Sequence, residues 1–267
     1  MPIEQINITW QNNIVTEELS ILDSMKSAFH IWKKYFLKIF VIGLIVYIPT
    51  QICIELVSIL IAGIKFLEKN QNNYYNLIRD IIGSIALLGI INFTIRILEN
   101  EEEQTVKDIV LHGLKKWPKY VGLLVIAGFK ILGYTILLII PGVYKFIKLS
   151  FLDCIVATDN NDGNGSDELD SLDESEQLVK NRWWKVFSFV LLMFIFRLLF
   201  ELLFLVLLIL IPEFTLRTFL IGVIVQVFGT YFFVVRAVYY LKIKKLKENI
   251  INEETTEIIN SEKANGI

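Results

Sequence analysis

Six long apolar stretches run along the chain, and polar or charged segments separate them. A bilayer has a hydrocarbon core about 30 Å thick, which a helix of about 20 residues crosses. With that length as a guide, the pattern predicts six membrane-spanning helices joined as three hairpins. The predicted spans lie near 39–59, 81–98, 120–140, 142–158, 186–211 and 216–241. We therefore expect an all-α fold with a six-helix membrane domain over 20–241, a polar tail over 1–19, and a basic, then polar and disordered tail over 242–267.

Prolines are expected to end the ascending helices of the second and third hairpins. Proline lacks the N–H that a helix needs, and its ring clashes with the preceding turn. The second hairpin should therefore turn at Pro141-Gly142 and the third at Pro212-Glu213. The apolar pattern continues past Pro49, so both a kink and a stop are open at that position. The fourth span is short and carries charges, and a re-entrant segment buried among other helices is the alternative there.

Three of the apolar stretches begin at tryptophans that are flanked by basic residues. Indole rings prefer the headgroup layer of a membrane, and Lys and Arg are retained on its cytoplasmic side. Basic residues are frequent at these ends of the spans and scarce at the others, so both termini are predicted to be cytoplasmic. The expected location is the cell (cytoplasmic) membrane. The predicted interfacial anchors are Trp32, Trp117, Trp183 and Trp184.

A short segment with helical apolar spacing precedes each tryptophan. Ile21, Met25 and Phe29 recur at this spacing ahead of the first, and residues 106–114 contain the same pattern ahead of the second. The third segment, 174–181, is more polar. We predict that these segments are amphipathic helices in the inner headgroup layer. The alternative is a soluble helix that leads into each span without lipid contact.

Composition places the chain among membrane proteins. Hydrophobic residues make up 54% of it and the mean hydropathy is +0.56, which is beyond the range of an ordinary soluble domain of 267 residues. The first 20 residues are polar, so no cleavable signal peptide is expected. Both cysteines, Cys53 and Cys154, lie in apolar stretches, which argues against a disulfide framework and a CxxC metal site.

Two sequence words carry a resemblance to a known family. They are PGVYKFIKLSF at 141–151 and LVKNRWWKVF at 178–187. Together with the tryptophans flanked by basic residues and the paired apolar stretches, these two motifs make residues 20–241 resemble a family of six-helix bacterial membrane proteins. That family includes the membrane domain fused to some glycerophosphoryl diester phosphodiesterases. The resemblance implies three helical hairpins in a cytoplasmic membrane, and most family members have no assigned activity. The acidic loop at 159–176 departs from the pattern, and without a phosphodiesterase domain that activity is not expected here.

Four charged residues fall near the middle of predicted spans. Lys130 and Asp153 lie about 16 and 18 Å from the outer end of the second hairpin, so a pair between them is expected. Arg197 and Glu201 are one helical turn apart in the fifth span. An unpaired charge at the bilayer centre costs about 2.5–3.5 kcal/mol, so we predict one interior cluster of the four. The cluster could line a polar path or bind a headgroup; the alternative is a salt-bridge network with no ligand. Arg236 is expected to extend to the inner interface instead.

Other chemistry finds little support in the sequence. The loop that begins at Asn160 resembles a calcium loop, but Ser171 occupies the twelfth position, where a glutamate is required. A flexible, solvated acidic loop is the favoured interpretation. No metalloprotease, nucleophile-elbow, Walker or dinucleotide-binding word occurs. We expect no metal, no cofactor and no enzymatic activity.

The expected function is that of a non-enzymatic integral membrane protein. It would handle or sense a membrane lipid or an amphipathic peptide, or support a membrane protein complex. The alternatives are a transporter or permease subunit for a small molecule, lipid or peptide, and a structural protein with no ligand. An intramembrane enzyme is the third class considered. Membrane lipids are the expected partners and nucleic acid is not; the oligomeric state is open.

Overall fold

The computed structural model describes residues 20–61, 71–159, 168–208 and 214–264. These residues form helices and contain no strand, which confirms the all-α prediction. The helices are α1 (Ile21–Lys34), α2 (Phe36–Ile61), α3 (Gln71–Leu98), α4 (Val106–Leu137), α5 (Ile139–Lys148), α6 (Leu152–Thr158), α7 (Glu168–Val179), α8 (Trp183–Leu208) and α9 (Phe214–Ala264).

Local sequence fixes several of the helix ends. The Ser20 hydroxyl accepts a hydrogen bond from the Asp23 amide and so caps the start of α1. At the start of α4, Thr105 and Asp108 bond each other's backbone amides in a capping box. Helix α3 ends at Leu98; beyond it Asn100 has a left-handed φ of 60°, and the Glu101 amide bonds back to the Arg96 carbonyl. Polar side chains thus satisfy backbone groups that lipid could not.

Four of the described helices are long and apolar enough to cross a membrane by length and composition. Their apolar segments are Phe36–Ile54, Leu77–Leu98, Val106–Leu137 and Trp183–Leu203. Each overlaps a predicted span, namely 39–59, 81–98, 120–140 and 186–211. The predicted span 216–241 lies within α9, whose first residues have no described side-chain environment.

The four apolar segments differ in how much of them the protein itself covers. In α3, 67% of the most apolar window is buried, whereas the figure is 17% in α4 and 11% in α8. Helix α3 is therefore the centre of the bundle. The outer faces of α4 and α8 expose apolar side chains that water would not tolerate over such a length, and lipid is the solvent that suits them.

The predicted span 142–158 is not one membrane-length helix. It is split between α5 and α6, and residues 149–151 between them form tight turns in which amides bond three residues back. Helix α6 is only seven residues long, and its residues 152–157 are all buried. Tight turns change the direction of the chain, and hydropathy alone does not report them.

The helix of the third predicted span also ends earlier than expected. Helix α4 ends at Leu137, and Leu138 is extended with φ −162° and ψ 143°. Pro141 instead lies in the first turn of α5, where a missing N–H has no helical partner to lose. Gly142 packs so closely on α4 that a Cβ there would lie 2.1 Å from the Thr135 hydroxyl. The predicted third turn at Pro212-Glu213 lies outside the described residues.

The structure also shows where helices continue at Pro49 and at the segments that precede the tryptophans. Helix α2 continues through Pro49, so this proline does not stop it. The lead-in segment 106–114 and the span after it form the single helix α4, whereas α1 and α7 are separate from the helices that follow them.

Helix α9 continues to Ala264 and so includes residues 242–264 of the tail that was predicted to be disordered. The chain has no glycine or proline between Gly229 and Gly266, and lysine and glutamate there are strong helix formers. A polar composition favoured disorder, but the uninterrupted helix propensity of the segment favours a continuous helix.

Glycines bring α3 and α4 into backbone contact. A Cβ on Gly113 would lie 2.2 Å from the Ile85 carbonyl oxygen, and one on Gly89 would lie 2.5 Å from that of Ile109. Small residues permit this approach, which is a common way for helices to associate in membranes. The same pairing holds Asn92 of α3 against His112 of α4, with their side-chain nitrogens 2.8 Å apart.

Candidate functional site

Asp153 does not pair with Lys130, so that predicted pair was wrong. The Asp153 side chain is 2% exposed, and its Oδ2 accepts a hydrogen bond from Arg236 Nη1 of α9 at 2.5 Å. Arg236, expected to extend to the interface, points to this carboxylate instead. Matching heights in a hairpin place two residues at one level but leave open the direction in which each side chain projects. The turns before α6 set that direction for Asp153.

The surroundings of this ion pair come from three other groups. The Cys154 amide donates to Asp153 Oδ1 at 2.9 Å, and the Cys154 thiol is buried. Tyr120 of α4 lies within electrostatic range of both charges. The carboxylate oxygens therefore each have a donor within the chain, and the site joins α4, α6 and α9.

Arg197 and Glu201 form the second charged site. Arg197 Nε donates to Glu201 Oε1 at 2.9 Å along α8, and the side chains are 59% and 40% exposed. Asp80 of α3 and the buried Tyr47 of α2 lie within electrostatic range of Arg197. Within the described part of the chain, no hydrogen bond or ion pair joins this site to Asp153 or to Lys130.

Lys130 stands apart from both charged sites. It is half-buried on α4, and no hydrogen bond or ion pair to it occurs among the described residues. The four charges that were expected in one cluster therefore occupy three places.

The tryptophans predicted as interfacial anchors also bond to the protein. Trp32 donates its indole N–H to the Thr230 hydroxyl of α9 at 3.4 Å. Trp117 donates to the Ile81 carbonyl of α3 at 2.8 Å, and Trp183 donates to the carbonyl of Tyr144 at 3.3 Å. Trp184 is different, because 73% of it is exposed. Three of the four thus link helices, and one faces outward.

A third charged group, which the sequence did not single out, joins α5 to α7. Glu176 of α7 forms an ion pair with Lys145 through Oε1, and its Oε2 lies 3.9 Å from Lys148 Nζ. The Ser175 hydroxyl, fully buried, donates to the Lys148 carbonyl at 2.9 Å. The three charged side chains are 14 to 23% exposed, and the group carries one more positive charge than negative.

The acidic loop is therefore not all flexible and solvated, because its residues from Glu168 onward belong to α7. Ser171 and Leu172 are buried. Residues 160–167, the first part of the segment that was compared with a calcium loop, lie outside the described residues. Lysines three residues apart at 145 and 148 were a signal for an acidic partner, but the partner's position in a low-hydropathy segment concealed it.

Aromatic rings surround the two lysines. Lys145 Nζ lies 5.5 Å from the centre of the Tyr134 ring, and Lys148 Nζ lies 4.7 Å from that of Tyr144. Trp183 stacks on Tyr144 with 5.6 Å between the ring centres. One tyrosine ring therefore lies near each ammonium, and ring faces add a favourable interaction with it. We call Lys145, Lys148, Tyr134, Tyr144 and Trp183 the basic and aromatic collar.

An exposed apolar surface begins directly beside this collar. The end of α4 and the start of α5 form a tip where side chains are up to 84% exposed. The exposed apolar residues of this tip are Phe129, Leu132, Ile136, Leu137, Leu138, Ile139, Ile140, Val143 and Phe146. The polar helix α7 lies on the other side of the collar. Apolar surface, then tyrosine, tryptophan and lysine, then polar helix is the order found across a membrane interface.

The described residues contain no group of three or more His, Cys, Asp or Glu side chains that could hold a metal ion. No family model, curated protein or solved structure matches this chain. The resemblance to the six-helix family, and the site residues considered as a ligand cluster, therefore stay predictions.

Proposed function

We propose that this chain is a multi-pass protein of the cell membrane that handles or senses a membrane lipid or an amphipathic peptide, without enzymatic activity. Support of a membrane protein complex is the related form of this role. The observation that carries the proposal is the exposed apolar surface of α4, α5 and α8, which ends at the basic and aromatic collar of Lys145 and Lys148.

Exposure of this kind favours a lipid partner over a soluble one. The windows of α4 and α8 that are 17% and 11% buried could each span a bilayer, and their outward side chains are mainly leucine, isoleucine and phenylalanine. Lipid tails cover such surfaces without specific geometry. The apolar surface contacts the lipid tails, and the collar beside it supplies positive charge that can attract an anionic headgroup.

The proposed topology places both termini in the cytoplasm. Lysines follow the apolar part of α9 at 242, 244, 245 and 247, and lysines also cluster around Trp32 and Trp117.

The experiment that tests the proposal is native mass spectrometry of the full chain purified in a mild detergent. A lipid or peptide retained at fixed stoichiometry supports a handling or sensing role, and a co-purified protein at fixed stoichiometry supports the complex. A bare protein, with neither lipid nor partner retained under conditions that preserve its fold, contradicts the proposal.

The charges around Arg197 favour transport as a second candidate function. Asp80, Arg197, Glu201 and the buried Tyr47 come from three helices of membrane-spanning length. Ionisable groups within spans are a recurrent feature of substrate and ion paths. Ligand-dependent flux into liposomes that is lost in Arg197→Gln would favour this candidate, and flux that is absent in the wild type excludes it.

A further inference from the structure

The ion group of Lys145, Lys148 and Glu176 contains two cations for one anion, which is unequal in a largely buried place. Glu176 forms a hydrogen bond with Lys145, but its other oxygen is 3.9 Å from Lys148, beyond hydrogen-bond distance. The Glu176 carboxylate therefore forms a hydrogen bond with Lys145 but not with Lys148. A tetrahedral anion with more oxygens could bond both.

The place of these lysines in the fold favours an anion that is attached to a lipid. Tyr134 and Tyr144 cover the lysines with ring faces, and the exposed tip of α4 and α5 begins beside them. A phosphate in this collar would carry its acyl chains along the exposed apolar surface. A soluble phosphate would interact with the lysine charges but would make no contact with the apolar surface.

Lys130 lies at a matching height on the neighbouring helix. Gly142 of α5 packs against Thr135 of α4, so Lys148 is about 9 Å along α5 from this contact and Lys130 is about 7.5 Å along α4 in the same direction. Lys130 has no hydrogen bond or ion pair with another described residue. Height along the helix does not set the direction of the Lys130 side chain, so the candidate anion site consists of Lys145 and Lys148.

We propose that Lys145 and Lys148 form a binding site for the phosphate of an anionic phospholipid headgroup, and that Glu176 of α7 is the internal anion which the headgroup displaces. The inference rests on the proposed function and names its ligand class. It assigns α7 a definite role: the acidic helix covers the site when no lipid phosphate occupies it.

The test uses the full chain in a neutral detergent, with phosphatidylglycerol titrated in and bound lipid counted by native mass spectrometry. One lysine near an anionic surface contributes about fivefold in affinity. We therefore expect Lys148→Gln to weaken binding about fivefold and Glu176→Gln to strengthen it by a similar factor. Lys33→Gln, an exposed lysine on α1, is the matched control and should not change binding.

Several results would overturn the inference. Equal lipid binding by the wild type, Lys148→Gln and Glu176→Gln would show that Lys145, Lys148 and Glu176 only hold α5 against α7. Equal binding of phosphatidylcholine would remove the anionic specificity, and full competition by inorganic phosphate at the same concentration would assign the site to a soluble ligand.

The variants separate a binding defect from a folding defect. Lys148 makes no side-chain hydrogen bond to Glu176, so its replacement spares the Lys145 pair, and circular dichroism melting in the same detergent checks the fold. A gain of binding in Glu176→Gln cannot come from unfolding. If the purified protein retains a lipid or peptide but these variants do not matter, the inference fails and the proposed function stands; if nothing is retained and phosphatidylglycerol does not bind, both fail.

Discussion

Breaking the ion pair between Asp153 and Arg236 should destabilise the protein strongly. Removing one partner of a buried ion pair typically costs about 3–5 kcal/mol, because the other charge stays buried without compensation. Asp153 is 2% exposed, but the Arg236 side chain is 34% exposed and solvent or headgroups screen part of its charge. We therefore expect about 3 kcal/mol from the isosteric change Asp153→Asn, and a similar loss from Arg236→Met.

A double-mutant cycle isolates the interaction itself. Asp153→Asn together with Arg236→Met removes both charges, so the double variant should be more stable than the sum of the two losses predicts, by about 2 kcal/mol. Unfolding in mixed micelles of denaturing and mild detergent, followed by circular dichroism, measures these differences. The control is Lys26→Met, which breaks an exposed pair with Asp23 and should cost less than about 0.5 kcal/mol. Additive losses in the cycle, or an Asp153→Asn loss no larger than the control's, would refute the reasoning.

Two further predictions use the same unfolding assay. Gly113→Ala should destabilise by about 1–3 kcal/mol, because its Cβ would lie 2.2 Å from the Ile85 carbonyl oxygen; Gly122→Ala on the same helix has nothing within 4 Å and should be neutral or slightly stabilising. Equal effects of the two would contradict the close contact of α3 and α4. Trp117→Phe should cost about 1 kcal/mol by removing the hydrogen bond from the indole N–H to the Ile81 carbonyl of α3, which keeps the Ser84 hydroxyl as a donor. Trp184→Phe, at an exposed position, should cost little; the reverse order would show that interfacial anchoring dominates.

Helices α2, α3, α4 and α8 could be located from the sequence because a membrane span depends on one quantity. About 20 consecutive apolar residues predict a spanning helix whatever packs around it. The fifth span was predicted to begin at 186 and its helix begins at Trp183, a difference of three residues that is the ordinary uncertainty of helix boundaries.

The break before α6 and the partner of Asp153 depend on quantities that hydropathy does not contain. A turn of a few residues rotates the following helix, and the rotation decides whether Asp153 meets Lys130 or Arg236. Residues 149–151 hold neither glycine nor proline, the residues that most often mark a change of direction. The height of Asp153 along its helix could be predicted from the sequence. The direction of its side chain around the helix axis could not, because it depends on how α9 packs.

Polar segments were the other place where the sequence misled. The acidic residues of α7 and the mixed charges after Leu241 both have the composition of solvated, unstructured chain. Yet α7 docks by burying Ser171, Leu172, Ser175, Leu178 and Val179, small or apolar positions on one side of an otherwise polar helix. Two of the five are serines, so the apolar signal in the sequence is weak, although the five positions are enough to hold the helix on α5 and α6.

The tryptophans flanked by basic residues form hydrogen bonds between helices. A buried or half-buried indole N–H needs an acceptor, and Trp32, Trp117 and Trp183 each find it on a helix other than the one they begin or belong to. The bonds connect the α1–α2 junction to α9, α4 to α3, and α8 to α5. Each ring supplies a directed bond between neighbouring helices. Recurrence of tryptophan beside basic residues therefore follows from helix joining, and such a tryptophan predicts a contact between helices.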